Sequence, residues 1–154
     1  MGLIRDLRVA MASRRLFRNW LVAGLRYFLI MHGLAKGLIT VKCSNASYGL
    51  SPSTYSFIVN AYYDGFINGF VCRDVIEALI NGVLISLIPP DSFAFNYLGK
   101  LIYFRDSTGF LFDVVFENFL GGAYDDLNVR DRVVVDVGGG VGDTAILFTL
   151  RGSP

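Results

Sequence analysis

The sequence has few of the residues from which metal centres and histidine-dependent active sites are built. It contains one histidine, His32, and two cysteines, Cys43 and Cys72, which do not form a C-x-x-C pair. Zinc sites and disulfide frameworks require more ligands or more cysteines, so we expect no metal site. The pattern favours a structural His32, and two cysteines buried as small hydrophobic residues in a reducing cytosol.

Long apolar runs are also missing, although hydrophobic residues make up 53% of the chain and charged residues only 18%. Residues 16–39 are the most apolar region, but Arg18, Arg26 and Lys36 interrupt it. No stretch approaches the roughly 18 residues of a membrane-spanning helix, and no signal-peptide cleavage site follows. We therefore expect a cytoplasmic protein whose excess apolar surface is buried against a partner or lies against a membrane.

Acidic residues are nearly absent from the first 42 positions. Eight basic residues stand there against one acidic residue, Asp6, for a net charge of +7, and the remainder carries −6. Such a basic arm faces an anionic partner, packs on the acidic half of the chain, or forms a solvated helix face. Trp20, Tyr27 and Phe28 among arginines also suit a helix at a membrane surface, so peripheral membrane contact is open. We expect no nucleic-acid partner.

Local patterns predict a mixed α+β region over residues 1–130, beginning with a helical basic arm at 1–35. The further predicted elements are a strand at Leu38–Cys43, a helix that starts at Ser51-Pro52 and carries Tyr55, Ile58, Val59, Tyr62, Tyr63 and Phe66 on one face, a helix at Arg73–Ile80, strands at Val83–Ile88 and Phe93–Leu98, and a hairpin of Leu101–Phe104 with Phe110–Phe116. Asp125, Asp126 and Asn128 form a polar linker to a second region, residues 131–154.

The second region is β-branched and rich in glycine. Val133–Val137 is typical of a strand buried on both faces of a parallel sheet, and Asp136 lies near its end. Glycines follow, and then Ala145–Arg151 predicts a helix with Gly152 just past its end. Strand, turn and helix are the first half of a βαβ unit. The predicted fold class is therefore α/β: an α+β N-terminal region followed by the start of a Rossmann-like domain.

The glycine turn has the composition of a ligand-binding turn. Gly138, Gly140 and Gly142 carry no side chains that would keep a ligand from the backbone. A helix that starts near Asp143 or Thr144 presents unpaired N–H groups to an anion or carboxylate. The candidate cofactor-binding residues are Asp136, Gly138, Gly139, Gly140, Gly142, Asp143 and Thr144.

Two common glycine motifs do not fit this turn. The dinucleotide motif G-x-G-x-x-G would need glycine where Asp143 stands, and the phosphate-binding P-loop would need a lysine after the glycines. What remains is D-x-G-x-G-x-G, which resembles motif I of class I S-adenosylmethionine-dependent methyltransferases. Residues 124–153 are similar to the FkbM-type methyltransferases, particularly archaeal members. The matching positions are Gly122, Tyr124, Asp125, Gly142, Asp143 and Thr144.

The resemblance implies that S-adenosylmethionine is the cofactor and that the reaction is methyl transfer to an oxygen of a small-molecule, sugar or lipid-linked acceptor. No catalytic residue is assigned, and Asp125 is the one acid that we name as a candidate base. The family's cofactor fold has seven strands, of which residues 131–154 would supply one. We therefore expect an N-terminal fragment that binds the cofactor weakly or not at all alone, completed by a C-terminal half or by a second copy.

This interpretation requires that Val133–Val137 join a sheet beside an open crevice. The alternative is a non-catalytic protein in which the glycine segment is a relic. Its basic, aromatic N-terminal region would then bind a membrane surface or a partner chain.

Overall fold

A computed structural model describes residues 3–106, 111–137 and 139–153. The helices are α1 (Leu3–Ala12), α2 (Trp20–Met31), α3 (Pro52–Tyr63), α4 (Leu111–Val115) and α5 (Asp143–Leu150), with a 3-10 turn at Ser13–Arg15 and a π-helical turn at Phe116–Leu120. The strands are β1 (Ile39–Lys42), β2 (Ser47–Leu50), β3 (Ile67–Cys72), β4 (Ile76–Ile80), β5 (Val83–Ile88), β6 (Ser92–Tyr97) and β7 (Lys100–Arg105). The fold over these residues is mixed α/β.

The strands form two antiparallel sheets. β1 pairs with β2, and the larger sheet has the order β3-β4-β5-β6-β7, in which each strand pairs with the next along the chain. Two-residue turns at Asn81-Gly82 and Leu98-Gly99 join neighbouring strands, and all four residues have positive φ, as such tight hairpin turns require. The pairing Phe93↔Phe104 lies on the buried face of the sheet.

The N-terminal helices pack on one another through small and aromatic residues. A Cβ on Gly24 of α2 would lie 2.8 Å from the Cβ of Ala10, so glycine lets α1 and α2 approach closely. Tyr27 of α2 and Tyr55 of α3 are both buried, with ring centroids 5.3 Å apart. The predicted start of α3 is confirmed, because the Ser51 hydroxyl accepts a hydrogen bond from the Thr54 N–H at 3.1 Å and proline follows Ser51.

Two predicted elements are wrong. The helix predicted at Arg73–Ile80 is strand β4, because its apolar residues are buried at every second position and it pairs with β3 and β5. The strand predicted at Phe110–Phe116 is α4, which continues into the π-helical turn; we call residues 111–120 the α4–π segment. The strand predicted at Leu101–Phe104 as its hairpin partner is part of β7, which pairs with β6 instead. The turn predicted between them includes residues 107–110, which lie outside the described residues.

The buried parallel strand predicted at Val133–Val137 is also not observed. These residues pair with no strand of the described chain, and Val133, Val135 and Val137 are 85%, 80% and 92% exposed. A parallel strand is stable only between neighbours that cover it, and every strand pairing among the described residues is antiparallel and lies elsewhere. No Rossmann-like parallel sheet is present in the part of the chain that the structure describes.

The two cysteines correct a further prediction. Cys43, just after β1, forms a disulfide with Cys72 at the end of β3, with their Cα atoms 4.9 Å apart. The disulfide joins the small sheet to the edge of the large one. Of the helices that the structure describes, none has the length and apolar character to cross a bilayer.

We expect loss of the disulfide to lower stability substantially. The linked residues are 29 positions apart, and in the chain-entropy description closing such a loop stabilises the folded state by roughly 3–4 kcal/mol. Denaturant unfolding should show this decrease for the Cys43→Ser/Cys72→Ser variant and for the reduced parent protein. Equal unfolding free energies of the oxidised parent and the double variant would contradict the assignment.

We expect Tyr55 to make stability depend on alkaline pH. Burial raises the pKa of Tyr55 to about 12, partly offset by the nearby Ser13 hydroxyl, and the buried Tyr55 hydroxyl forms no well-aligned hydrogen bond. In the unfolded chain the pKa of tyrosine is about 10, so the unfolded state loses this proton first as the pH rises. The free energy of unfolding is therefore unaffected by this group below pH ~10 and falls between pH ~10 and ~12, by up to roughly 2–3 kcal/mol. Tyr55→Phe should match or exceed the parent's stability at pH ~7 and lose less of it above pH ~10.

The control for this effect is Tyr103→Phe, because Tyr103 is exposed on β7. Unfolding free energies measured by denaturant titration at a series of pH values decide the matter. If Tyr55→Phe and Tyr103→Phe follow the same pH profile, burial of the Tyr55 hydroxyl does not control this dependence.

Candidate glycine-turn site

The glycine turn begins after Val137 and leads directly into α5. Gly140 and Gly142 have φ values of +44° and +80°, which side-chain-bearing residues rarely adopt. The Gly142 N–H donates to the Gly139 carbonyl at 2.7 Å, and the Gly142 carbonyl accepts from the Ile146 N–H at 3.1 Å. The turn therefore closes on itself and passes into the helix at Gly142. Gly138 lies outside the described residues.

Asp136 folds back over this turn. The Thr144 hydroxyl donates a hydrogen bond to its carboxylate Oδ2. A Cβ on Gly139 would lie 2.8 Å from the same oxygen, so a side chain at this position would push the carboxylate out of its place over the turn. The structure thus brings Asp136, Gly139 and Thr144 together, with the acidic group beside the N-terminus of α5, where the helix dipole favours negative charge.

Asp143, the first residue of α5, holds the helix to the core. Its side chain is only 3% exposed, and its carboxylate Oδ2 accepts a hydrogen bond from the amide of Asn118 in the π-helical turn. Asp143, which the sequence predicted to bind the cofactor, therefore also forms a buried hydrogen bond that attaches α5 to the core. Sequence reasoning missed Asn118, which lies with Glu117 between the apolar residues Phe116 and Phe119 and carries no motif. π-helical turns are frequent at functional sites.

A cavity of about 340 Å³ opens between the turn and the α4–π segment. Its lining consists of Val114, Asn118, Tyr124, Asp136, Val137, Gly139, Gly140, Val141, Asp143 and Thr144. Five of the predicted site residues therefore share one cavity, whereas Gly142 shapes the turn without lining it. The volume is at the lower end of the range for small-molecule pockets, enough for part of a nucleotide cofactor.

The structure does not bring Asp125 to this cavity. Arg151, just past the C-terminal end of α5, forms an ion pair with the Asp125 carboxylate at 2.5 Å. The same guanidinium donates to the Tyr124 carbonyl at 2.7 Å and to the Tyr97 hydroxyl at 2.9 and 3.0 Å. The glycine turn lies at the opposite end of α5, so the arrangement ties the linker to β6 and gives Asp125 no position from which to serve the turn.

A second cavity, of about 320 Å³, lies on another side of the α4–π segment. Phe112 and Phe116 line it with aromatic residues of α2 and α3, whereas Val114 and Asn118 of the same segment line the glycine-turn cavity. Among the described residues, no three histidine, cysteine or acidic side chains are grouped so as to hold a metal ion. The glycine turn is therefore the feature with the most specific local chemistry.

Comparison with protein-family models, curated proteins and solved structures finds no match to this chain. The similarity of residues 124–153 to the FkbM-type methyltransferases therefore stays a prediction from the sequence.

We expect the Asn118–Asp143 bond to be the main polar support of the site. Replacing Asn118 by leucine, which is similar in size, leaves a buried carboxylate without this donor and should cost roughly 1–3 kcal/mol of unfolding free energy. Asn96→Leu is the matched control, because Asn96 is exposed at the end of β6. Denaturant unfolding of both variants, and of a double-mutant cycle with Asp143→Ala, measures the coupling.

A coupling energy indistinguishable from zero in that cycle would show that the bond does not fasten α5 to the core.

Proposed function

We propose that residues 131–153 form the start of the S-adenosylmethionine-binding domain of an FkbM-like methyltransferase, which transfers a methyl group to an oxygen of a small-molecule, sugar or lipid-linked acceptor. The observation that carries this proposal is the glycine turn itself. It has left-handed glycines, a carboxylate folded over it, a helix that starts at it, and a cavity beside it.

The residues of the turn fit the charged groups of the cofactor. S-adenosylmethionine has an ammonium and a carboxylate at its amino-acid end, and a positively charged sulfonium. Asp136 supplies a negative charge for a cationic group, and the unpaired N–H groups in the first turn of α5 suit a carboxylate. Glycine at position 139 lets the Asp136 carboxylate lie over the turn, because a Cβ there would lie 2.8 Å from its Oδ2. The other predicted contacts are those of Gly138, Gly140, Gly142, Asp143 and Thr144.

The proposal also requires strands that the described residues do not supply. Val133, Val135 and Val137 are exposed, and a Rossmann-like site needs parallel neighbours on this strand to build the nucleotide pocket. We assign those neighbours to a C-terminal half of the same protein or to a second copy. Their pairing would bury the three valines and provide the adenine and ribose contacts.

The cofactor, when bound, supplies the electrophilic methyl group on its sulfonium. The part of the protein described here then contributes positioning, which is a large share of the rate in a reaction that aligns a donor with a nucleophile. Asp136 would orient the cofactor, and Asn118 would hold α5 in place through Asp143. We assign no general base, since Arg151 already neutralises Asp125.

We place this activity in the cytoplasm. The Cys43–Cys72 disulfide is unusual for a cytosolic protein in general. Intracellular proteins of hyperthermophilic archaea and bacteria are an exception, being rich in disulfides.

The test is calorimetric titration with S-adenosylmethionine. The full product of the gene is titrated, beside residues 1–154 where that product is longer, and in that case we expect the longer protein to bind more tightly. Gly139→Ala, whose Cβ displaces the Asp136 carboxylate, and Asp136→Asn should each weaken binding by roughly tenfold, the cost of one charge-assisted contact. Gly69→Ala in β3 is the matched control, because its Cβ would meet only Leu79, at 3.5 Å.

Gly69→Ala should bind as the parent does. The proposal fails if the full gene product shows no binding at millimolar cofactor, or if Gly139→Ala and Asp136→Asn retain the parent's affinity.

A further inference from the structure

Helix α2 exposes an apolar face that nothing in the described residues covers. Leu21, Val22 and Leu25 are 65%, 67% and 60% exposed and lie on one side of the helix by their spacing. The opposite side, with Ala23 and Tyr27, is buried against the other helices. The helix is therefore apolar on both sides, and only one of them is enclosed.

Such a helix is unusual at a protein surface. Arg26 is the only charged residue in the twelve positions of α2. Helices that are apolar all round are normally enclosed by protein or by lipid. With twelve residues α2 is about 18 Å long, against roughly 30 Å for the hydrocarbon core of a bilayer, so it is too short to span one. Contact with lipid would place it in the plane of the membrane surface.

Positive charge precedes this face along the chain. Arg14, Arg15 and Arg18 are exposed in the connection that leads into α2, and they form no ion pair with the acidic residues that the structure describes. The Arg18 guanidinium donates to the Ser44 carbonyl at 3.4 Å, and Arg14 and Arg15 line a cavity beside α1 and α3. Arg26 lies beside the apolar face, and its guanidinium reaches the Lys36 carbonyl at 2.6 Å. Of the eight basic residues in the first 42 positions, Arg8 is paired with Asp64 at 2.6 Å, which leaves most of this charge without an acidic partner among the described residues.

We propose that α2 docks on an anionic lipid bilayer. Leu21, Val22 and Leu25 insert at the level of the headgroups and the first acyl carbons, and Arg14, Arg15 and Arg18 lie against anionic headgroups. Apolar insertion combined with attraction to anionic lipids is the binding mode of interfacial helices. This inference is independent of the proposed methyl transfer.

The charges favour lipid over the other occupants of such a face. A symmetric dimer through α2 would bury the three apolar side chains but would bring no anionic partner to the arginines, since the same surface is contributed by both copies. A nucleic acid would engage the arginines but leave the three apolar side chains without a partner. A bilayer with anionic headgroups satisfies both groups at once.

The experiment is vesicle flotation of the intact chain with phosphatidylcholine alone and with added phosphatidylserine. Trp20 is the only tryptophan and starts α2, so its emission should shift to shorter wavelength on binding. We expect binding to phosphatidylserine vesicles that weakens with salt. Leu21→Ser/Val22→Ser/Leu25→Ser should lower the partition constant by roughly tenfold or more. Arg14→Gln/Arg15→Gln/Arg18→Gln should remove the preference for phosphatidylserine.

Leu84→Ser/Leu98→Ser/Leu101→Ser is the matched control, because it removes three exposed leucines from the sheet and its turns. It should bind vesicles as the parent does, and thermal melts of all variants verify that they fold. The proposal is overturned if the parent does not float at low salt or if the α2 variant floats equally well. It is also overturned if the α2 substitutions abolish a dimer seen by sedimentation while vesicle binding is absent, which would assign the face to a second copy.

Discussion

The position of the glycine turn depends on a layer of phenylalanines between the five-stranded sheet and the α4–π segment. Phe93 on the inner face of the sheet stacks on Phe112 with ring centroids 4.2 Å apart, and Phe119 packs edge-on against Phe95 and Phe104 at 5.6 and 5.8 Å. These contacts fix the π-helical turn. Asn118 lies in this turn, and its amide donates to the carboxylate of Asp143, the first residue of α5.

The site is consequently supported on one side only. The buried residues of α5, Leu147 and Phe148, pack into the core of the α+β region, and Arg151 adds hydrogen bonds to Tyr97. In a βαβ unit the same helix would cover a parallel sheet. That sheet would have to pack on the remaining face of α5, where Ile146 is 40% exposed. In a complete cofactor domain α5 would therefore lie between two layers. The core of the α+β region is one of them, and the parallel sheet would be the other.

Short-range signals in the sequence predicted some of these features well. The Ser51 cap, strands β5 and β6 and the helix after the glycine turn depend on local chemistry, and the structure confirms them. The errors arise where contacts between residues far apart in the sequence determine the structure. Ile76–Ile80 is too short for its periodicity to separate helix from strand, and pairing with β3 and β5 settles it. The cysteines carry no motif, and Asn118 acquires its role only by facing Asp143. No local signal could have predicted the disulfide or this bond.

The apolar excess of the composition, 53% hydrophobic residues, is partly accounted for by two exposed surfaces that need different partners. On α2 the backbone N–H and C=O groups are bonded within the helix, so only side chains are uncovered, and lipid can cover them without leaving a polar group unpaired. At Val133–Val137 no sheet pairs the backbone, and hydrocarbon would leave its polar groups unsatisfied. Only another strand offers both hydrogen bonds and apolar contact to such a segment. The proposed partner of the valines is therefore protein, and the proposed partner of the exposed apolar face of α2 is a membrane surface.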